Sequence, residues 1–177
     1  MMTESLLLVT PTLDYADEIA AYRREFLENG EPLHGSGPLR RIADPAEWVQ
    51  ATELFTKPET LPEGYVIGTQ FIYVRESDLR LVGMISVRHY LNDYLRQYAG
   101  HIGYSVRPSE RRKGYGKAML GAALPYCRKI GLERVLITCE ENNEASRRTI
   151  LANGGTYEST VFDPEDNENL ERYWIEL

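Results

Sequence analysis

The chain has 177 residues, of which 42% are hydrophobic, and a formal net charge of −7 at pH 7. This composition predicts one domain over residues 1–177 with a sizeable core. The acidic balance argues against nucleic acid as a partner, because nucleic-acid binding depends on lysine and arginine that neutralise phosphates. No apolar run approaches the roughly 20 residues of a membrane span, so no membrane partner is expected.

The first residues, MMTESLLLV, lack the basic region of a signal peptide and carry too short an apolar run. Cys127 and Cys139 fall in a helical and a strand pattern, and no other residues at metal-ligand spacing surround them. We expect both as buried, reduced thiols, with no metal site, in a cytoplasmic protein.

Two helices are predicted in the N-terminal part of the chain. A helical pattern runs from 12 to 28, and Thr12 or Asp14 suits its cap. An Asp-Pro pair starts a second helix over 46–55. The loop between them, at 31–45, is long for a compact domain, which is typical of functional or disordered loops.

Three segments before residue 100 have strand patterns. The run at 5–9 indicates an edge strand, whereas 66–75 and 80–90 flank a short turn and predict an antiparallel hairpin. Gly83 indicates a bulge or a close backbone approach in the last of these strands. His89 shares an alternating face with apolar residues, so we interpret it as a packing histidine, with catalysis as the alternative.

The stretch 100–116, GHIGYSVRPSERRKGYG, is the most informative part of the chain. A strand over 101–107 leads into a basic, glycine-rich loop that opens a helix over 117–130. Such a loop can hold phosphate, because first-turn N–H groups lack acceptors and glycines let an anion approach the backbone. The loop residues in question are Arg111, Arg112, Lys113, Gly114 and Gly116.

Three interpretations compete for this loop. It is a solvated basic turn, a nucleotide site, or a cradle for the pyrophosphate of coenzyme A. A P-loop needs Ser or Thr after its lysine, but Ala118 follows Lys117. A dinucleotide fingerprint needs Gly or Ala where Met119 stands. The sequence therefore argues against the nucleotide site and leaves the other two interpretations open.

The C-terminal third alternates strands with one short helix. The nearly apolar run at 135–139, VLITC, is typical of a strand buried on both faces and predicts a strand over 134–140. Because it follows helix 117–130, a right-handed βαβ unit with two parallel strands is predicted. Asn143 suits the N-cap of a short helix that a Gly-Gly pair ends. Two last strands, at 156–162 and 170–177, are expected to form an antiparallel hairpin beside strand 134–140.

Two motifs in this order resemble the signatures of the GNAT superfamily of acyl-CoA-dependent N-acetyltransferases. Arg111-x-x-Gly114-x-Gly116 resembles the first signature, and Asn143-x-x-Ser146, followed by the Gly-Gly stop, resembles the second. The segments LITCEENNEASRRTILANGG and ERYWIEL further resemble a bacterial branch of predicted acetyltransferases.

The resemblance covers about residues 65–177, the predicted acyl-CoA-binding core, with a helical, substrate-side region over about 12–60. It implies an α+β fold of three layers. A mostly antiparallel twisted sheet of six to seven strands would contain one central parallel βαβ pair and carry helices on both faces. In this family the long loop helps to wall the substrate cleft, which makes His34 a candidate site residue.

The resemblance also implies acetyl-CoA as co-substrate. Backbone N–H groups at 112–117 would hold its pyrophosphate, with Arg111 or Arg112 adding charge. Its pantetheine arm would pair with the backbone of Ser105 and Val106 between the two parallel strands. The implied coenzyme-binding residues are Ser105, Val106, Arg111, Arg112, Lys113, Gly114, Tyr115, Gly116, Lys117, Asn143 and Ser146.

Acetyl transfer to an amine requires the amine to be neutral. A lysine-like amine has a pKa near 10.4, so neutralising it at pH 7 costs roughly 4–5 kcal/mol and a general base is expected. Glu140 and Glu141, at the end of a buried strand, are the first candidates, with capping of the next helix as their structural alternative. His101 and His89 are the other candidates.

The group that protonates the leaving thiolate departs from the family pattern. Many members carry tyrosine seven residues after the motif asparagine, where this chain has Ile150. Ser146 is expected to donate to the sulfur instead, with Tyr157 or Tyr173 as alternatives. The predicted catalytic residues are therefore Ser146, Glu140 and Glu141.

Two functions remain at this point. The leading prediction is an N-acetyltransferase that modifies the primary amine of a small molecule or a peptide. The alternative is a sensor or regulatory module that holds acyl-CoA with little turnover. Neither the acceptor nor the oligomeric state, monomer or homodimer, has a readable signal in the sequence.

Overall fold

The computed structural model describes residues 3–177, which form seven strands and four α-helices. In chain order these are β1 (Leu6–Val9), α1 (Ala16–Glu28), α2 (Pro45–Leu54), β2 (Gly68–Arg75), β3 (Arg80–Arg88), β4 (Ile102–Val106), α3 (Tyr115–Lys129), β5 (Arg134–Glu140), α4 (Glu144–Ala152), β6 (Thr156–Asp163) and β7 (Glu168–Glu176). Short 3₁₀ turns at Leu13–Tyr15, Gly37–Arg40 and Pro108–Glu110 and a π-helix at Leu95–Ala99 connect them. No helix of the described part is long and apolar enough to cross a bilayer.

The strands form two sheets. The first has the order β1-β2-β3-β4, the second has the order β5-β7-β6, and all ladders in both are antiparallel. Strand alternation in β2 sends Ile72 and Val74 toward α1 and α2, and Phe71 and Tyr73 toward α3. Helices therefore cover both faces of the first sheet, and the predicted α+β fold class with seven strands is confirmed.

The predicted parallel pair of β4 and β5 is not a hydrogen-bonded ladder. Within residues 3–177 the bridge nearest to them is isolated and antiparallel in type, and it pairs Gly100, just before β4, with Ile137 of β5. Beyond that bridge the strands separate, so the predicted continuous sheet is divided in two. The correction has a functional meaning, because the separation leaves a gap between the strands.

Helix starts follow the predicted chemistry at two of three places. The Asp44 carboxylate accepts from Ala46 N at 2.9 Å and caps α2, and the Asn143 side chain accepts from Ser146 N at 3.1 Å and caps α4. The prediction for α1 is wrong, because neither Thr12 nor Asp14 caps it. A 3₁₀ turn precedes α1 and supplies its entry instead.

Gly83 lies at an irregularity between β2 and β3, as predicted. The register shifts between Tyr73, which pairs with Gly83, and Val74, which pairs with Leu81. A Cβ at Gly83 would lie 2.7 Å from Met119 Sδ, so this glycine also lets α3 approach the sheet closely.

Candidate active site

Unpaired backbone donors line the loop between β4 and α3. Ala118 N donates to Gly114 O at 3.1 Å, but the N–H groups of residues 112–117 find no acceptor within the described chain. Arg112 and Gly114 adopt left-handed conformations, with φ of 64° and 83°. Consecutive N–H groups in such turns, placed at a helix N-terminus, form an anion-binding concavity.

The three cations of the loop differ in whether a carboxylate already pairs with them. Lys113 Nζ lies 2.7 Å from the buried Glu110 carboxylate, and Arg111 Nη1 lies 3.1 Å from Glu31 Oε1. Arg112 is exposed and has no hydrogen-bond or ion-pair partner among the described residues. Arg112 is therefore the loop cation that can meet an anion without first leaving a carboxylate.

Two of the predicted coenzyme-binding residues contribute mainly through backbone. Tyr115 is buried, and its hydroxyl donates to Glu4 at 2.6 Å, so only its N–H is available to a ligand. A Cβ at Gly116 would lie 3.4 Å from Thr149 Oγ1 and 3.4 Å from Val106 Cγ2, which is ordinary contact, so α3 begins next to α4 and β4.

The register of β4 decides which of its backbone groups face the gap. In an antiparallel pair, alternate residues direct both N–H and C=O toward the partner strand. Arg107 N donates to Val82 O at 2.8 Å, which fixes the alternation. Ser105 therefore faces β3, whereas Tyr104 and Val106 face the gap. The predicted ligand pairing at Ser105 is therefore wrong, because its backbone faces β3, and the pairing at Val106 stays a prediction.

His101 closes the other end of the gap. The backbone N–H of His101 donates to Leu136 O at 2.7 Å, and the ring Nδ1 of His101 accepts from the backbone N–H of Leu136 at 2.9 Å. Burial lowers the pKa of His101 to about 4, so the ring is neutral at pH 7 and Nδ1 stays an acceptor. His101 thus ties β4 to β5, and the alternative role as general base does not fit this contact.

The open end of the gap leads into a cleft with two adjoining lobes. The inner lobe, about 240 Å³, lies between β4, β5 and the start of α4, with Tyr104, Glu140 and Ser146 on its wall. The outer lobe, about 490 Å³, lies beside α2 and β2 and is mainly apolar, with Phe55 and Tyr65 among its lining residues. The two lobes share the wall residues His34, Gly35, Arg88, Tyr94 and Ala99.

The long 31–44 loop is fixed against the sheet and forms part of this wall. Trp48 Nε1 donates to Ser36 O at 2.8 Å, and Gln70 Nε2 donates to Gly35 O at 2.7 Å. A Cβ at Gly35 would lie 2.4 Å from Gly103 O, so the loop backbone packs directly on β4. This contact supports the expectation that the loop walls the substrate cleft.

The two candidate glutamates have different surroundings. Glu140 lines the inner lobe, and its Oε1 lies 3.8 Å from His34 Nε2. Glu141 is exposed outside the cleft, where its carboxylate accepts from Asn169 Nδ2 at 3.0 Å. Glu168, another inner-lobe residue, has a raised pKa because of burial and of the nearby Glu140 charge. Geometry therefore favours Glu140 over Glu141 as a base.

Tyr104 and Ser146 form a hydroxyl pair in the inner lobe. The Tyr104 hydroxyl lies 2.7 Å from Ser146 Oγ, and Asn143 holds Ser146 through its backbone N–H. Burial raises the pKa of Tyr104 to about 12, so its hydroxyl is protonated at neutral pH and can donate a proton.

Tyr157, Tyr173 and Ile150 are not among the residues that line the inner lobe. Ile150, at the position where many family members carry tyrosine, is fully buried in the core. The Tyr173 hydroxyl donates to Glu171 at 2.7 Å, and Tyr157 is exposed, with its hydroxyl 2.8 Å from Thr160 Oγ1. Neither alternative donor named from the sequence lines the inner lobe, whereas Tyr104 does.

The remaining candidates have structural roles. His89 Nε2 lies 2.9 Å from Thr69 Oγ1 and 3.2 Å from the Tyr126 hydroxyl, which confirms it as a packing histidine. Cys127 and Cys139 are buried and unpaired, and burial raises the pKa of each to about 11. Cys139 lines the inner lobe, but a protonated thiol is a weak nucleophile.

Residues 41–154, well over half of the chain, match the acetyltransferase (GNAT) family. The chain belongs to this family. No curated protein matches the sequence.

Solved structures agree with the family assignment at the level of the fold. A ribosomal-protein-S5-alanine acetyltransferase from Vibrio fischeri has a TM-score of 0.73 and 17% identity, with 99% of this chain and 95% of that chain covered. A ribosomal L7/L12 α-N-protein acetyltransferase in complex with coenzyme A has a TM-score of 0.72 and 17% identity over 99% and 96%. A microcin C7 self-immunity acetyltransferase with acetyl-CoA and AMP also has a TM-score of 0.72 and 17% identity, over 99% and 94%.

As a GNAT protein, the chain is an acyltransferase that uses acetyl-CoA, and the alternative of a sensor without turnover is not favoured. Its geometry suits the co-substrate in two places. Free N–H donors at 112–117 match a pyrophosphate. Toward the gap, β4 offers the backbone of Tyr104 and the N–H of Val106 to an extended pantetheine arm, whereas Val106 O accepts from Arg111 Nε at 3.2 Å.

Sequence reasoning missed the part of the site that depends on long-range contacts. Tyr104 has no motif around it, and only the alternation of β4 beside the motif residues pointed to it. Arg88 ends a strand and appears in no family signature, yet it lies at the junction of the two lobes.

Proposed function

We propose that this GNAT protein transfers the acetyl group of acetyl-CoA to the primary amine of a small molecule or peptide held in the inner lobe. The observation that carries the proposal is that three features adjoin one another around β4. They are the free N–H donors at 112–117, the gap between β4 and β5, and the cleft that Glu140 lines. Each suits a different part of the reaction.

The binding of acetyl-CoA is assigned first. N–H groups at 112–117 hold the pyrophosphate, and Arg112 adds a free positive charge. Val106 and Tyr104 offer gap-facing backbone groups to the pantetheine arm, which places the thioester beside Ser146. A gap-facing N–H of β4 is suitably placed to donate to the oxyanion of the tetrahedral intermediate.

Glu140 is proposed as the general base and the Tyr104–Ser146 pair as the general acid. Glu140 takes a proton from the ammonium group of the acceptor, directly or through water, and frees the nitrogen lone pair. The neutral amine attacks the thioester carbonyl, and the carbon–sulfur bond breaks as the tetrahedral intermediate collapses. Tyr104 or Ser146 then donates a proton to the departing sulfur, and the proton that the attacking nitrogen loses as the amide forms restores that hydroxyl.

Release of free coenzyme A thiol in the presence of an amine panel tests the function. An acetyltransferase produces one thiol and one acetylated amine, which mass spectrometry identifies, per acetyl-CoA consumed. Binding of acetyl-CoA without thiol release against any amine would return the sensor alternative to first place.

Glu140→Gln is expected to lower kcat/KM about 100-fold at pH 7, the usual contribution of a general base. Activity should recover in part as the pH approaches the pKa of the acceptor amine, because the amine then loses its proton without help. The pH–rate profile measures this effect. Glu141→Gln is the matched control and should keep the native profile. Unchanged profiles in both variants would remove Glu140 from the mechanism.

Tyr104→Phe and Ser146→Ala are each expected to lower kcat on the order of 10-fold, the effect of one lost hydrogen bond to a developing charge. KM for acetyl-CoA should change less, because the bond strengthens as the thiolate forms. The double variant should lose less than the product of the two single losses, since the hydroxyls act as a pair.

Steady-state kinetics decides whether the hydroxyl pair donates to the sulfur or only packs the start of α4. Tyr157→Phe is the matched control. Native kcat values in both single variants would mean that the pair only packs the start of α4 and that the thiolate leaves unaided.

A further inference from the structure

Arg88 lies where the two lobes of the cleft meet and lines both of them. Its Nη1 donates to Ala99 O at 3.3 Å and to Gly100 O at 3.0 Å, which aims the guanidinium at the turn before β4. Neither Nε nor Nη2 has a hydrogen-bond or ion-pair partner among the described residues. Two donors of a cation are thus free at the centre of the cleft wall.

Other shielded arginines of this protein are paired with carboxylates. Arg107 contacts Glu18 and Glu25, and Arg75 contacts Glu110. Such pairing is expected, because taking a charge out of water without a partner is costly. Arg88 has no carboxylate partner among the described residues to offset that cost, and burial lowers its pKa.

The free nitrogens of Arg88 are not sealed inside the protein. Among the described residues, Arg172 Nε is the one buried side-chain nitrogen or oxygen without a hydrogen-bond partner. The unpartnered nitrogens of Arg88 are therefore accessible, and the cleft is the space they border. A half-buried guanidinium with two accessible donors is well suited to a bidentate oxyanion.

The other charged residues that line the inner lobe are acidic. Glu140, Asp166 and Glu168 line it, and the Asp163 carboxylate lies beside them with one oxygen accepting from Glu165 N at 2.9 Å. Beyond Arg88, the outer lobe is mainly apolar, and the Phe55 and Tyr65 rings pack edge to face with centroids 5.2 Å apart. Negative, positive and apolar surfaces thus follow one another along the cleft.

We propose that the acceptor is a small zwitterion of the amino-acid type, with an apolar side chain. Its amine lies in the inner lobe near Glu140, its oxyanion binds Arg88, and its side chain fills the outer lobe. The inference rests on the proposed acetyl transfer and narrows its acceptor. The oxyanion is a carboxylate or a phosphonate, which share the bidentate contact with a guanidinium.

Matched acceptors that differ only in the oxyanion test the proposal. L-phenylalanine is compared with 2-phenylethylamine, L-leucine with 3-methylbutylamine, and the phosphonate analogue of phenylalanine separates the two oxyanions. The native enzyme should favour the zwitterion in at least one pair by about 10- to 100-fold in kcat/KM, the range of a charge-assisted hydrogen bond. Arg88→Met should reduce that preference to within about 3-fold, and Arg88→Lys should keep part of it.

Arg96→Met is the matched control, because Arg96 is an exposed arginine on the π-helix Leu95–Ala99 beside the cleft and lines neither lobe. It should keep the native preference. The ratio within each variant is independent of how much folded enzyme is present, so a partly unstable Arg88→Met still reports on the proposal.

The proposal is overturned if the simple amines are used as well as the zwitterions, or if Arg88→Met lowers both members of a pair equally. Preference for L-phenylalanylglycine amide, a peptide without a carboxylate, over free phenylalanine would also overturn it and indicate a peptide acceptor. If no amine is acetylated at all, the proposed acetyl transfer fails, and the assignment of its acceptor fails with it.

Discussion

Gly116→Asp is expected to weaken acetyl-CoA binding about 100-fold or more. The new carboxylate would stand among the N–H donors at 112–117 and repel the pyrophosphate. Two like charges about 4 Å apart near a protein surface repel by about 4 kcal/mol, more than enough for this loss. The fold should survive, because a Cβ at Gly116 meets Thr149 and Val106 at 3.4 Å, and an acidic side chain suits the first turn of a helix.

Calorimetric titration with acetyl-CoA measures the effect, and circular dichroism reports on the fold. Ala122→Asp is the matched control, since it adds the same charge to an exposed position of α3 away from the loop. It should bind acetyl-CoA like the native protein. Native affinity in Gly116→Asp, together with native circular dichroism, would show that the pyrophosphate does not bind at this loop.

Glu110→Gln is expected to lower the free energy of unfolding by about 2–3 kcal/mol, the effect of breaking a largely buried ion pair. The Glu110 side chain is 5% exposed and contacts Arg75, Arg80 and Lys113. A neutral amide would leave three cations together without their anion. Urea unfolding at pH 7 measures the loss. Glu133→Gln, at an exposed position, should stay within about 0.5 kcal/mol of the native protein.

The same contact predicts acid sensitivity. Burial by itself raises the pKa of Glu110, but hydrogen bonds from Lys113, Arg75 and Arg80 outweigh it and lower the pKa to about 2, from an ordinary value of 4.5. The contribution of Glu110 to stability is therefore complete above pH 4.5 and is lost as the pH falls toward 2. The difference in stability between native protein and Glu110→Gln should shrink over this range. A constant difference between pH 7 and pH 3 would contradict the assignment.

Local rules predicted most of the fold. Hydrophobic periodicity located both strands of the β2–β3 hairpin and helix α3, and side-chain oxygens at Asp44 and Asn143 marked two helix starts. Periodicity and helix caps depend on residues close together in the chain, so they can be recognised in a single sequence. The start of α1 was mistaken because Thr12 resembles a cap, whereas the chain enters through a 3₁₀ turn.

The candidate site was predicted where a motif carries it, and missed where distant segments meet. The phosphate-type loop follows from glycines and helix geometry. The choice between Ser105 and Tyr104 depends on the register with β3, which a one-residue shift reverses. Ser105 is also held by the Tyr22 hydroxyl, at 2.8 Å from its Oγ and 83 residues away in sequence.

Contacts of this range also explain the unforeseen role of His101. Its ring accepts from Leu136 N, 35 residues away, and the strand pattern around His101 carried no sign of that partner. Arg88 was missed for the same reason. Its importance depends on its position in the cleft without a carboxylate partner, which its neighbours along the chain do not indicate.

A crystal structure with coenzyme A tests the central claim most directly. The pyrophosphate should accept hydrogen bonds from backbone N–H groups of residues 112–117. The pantetheine arm should lie between β4 and β5, with its sulfur beside the Tyr104 and Ser146 hydroxyls. Coenzyme A bound elsewhere, with the gap between β4 and β5 still empty, would contradict the account.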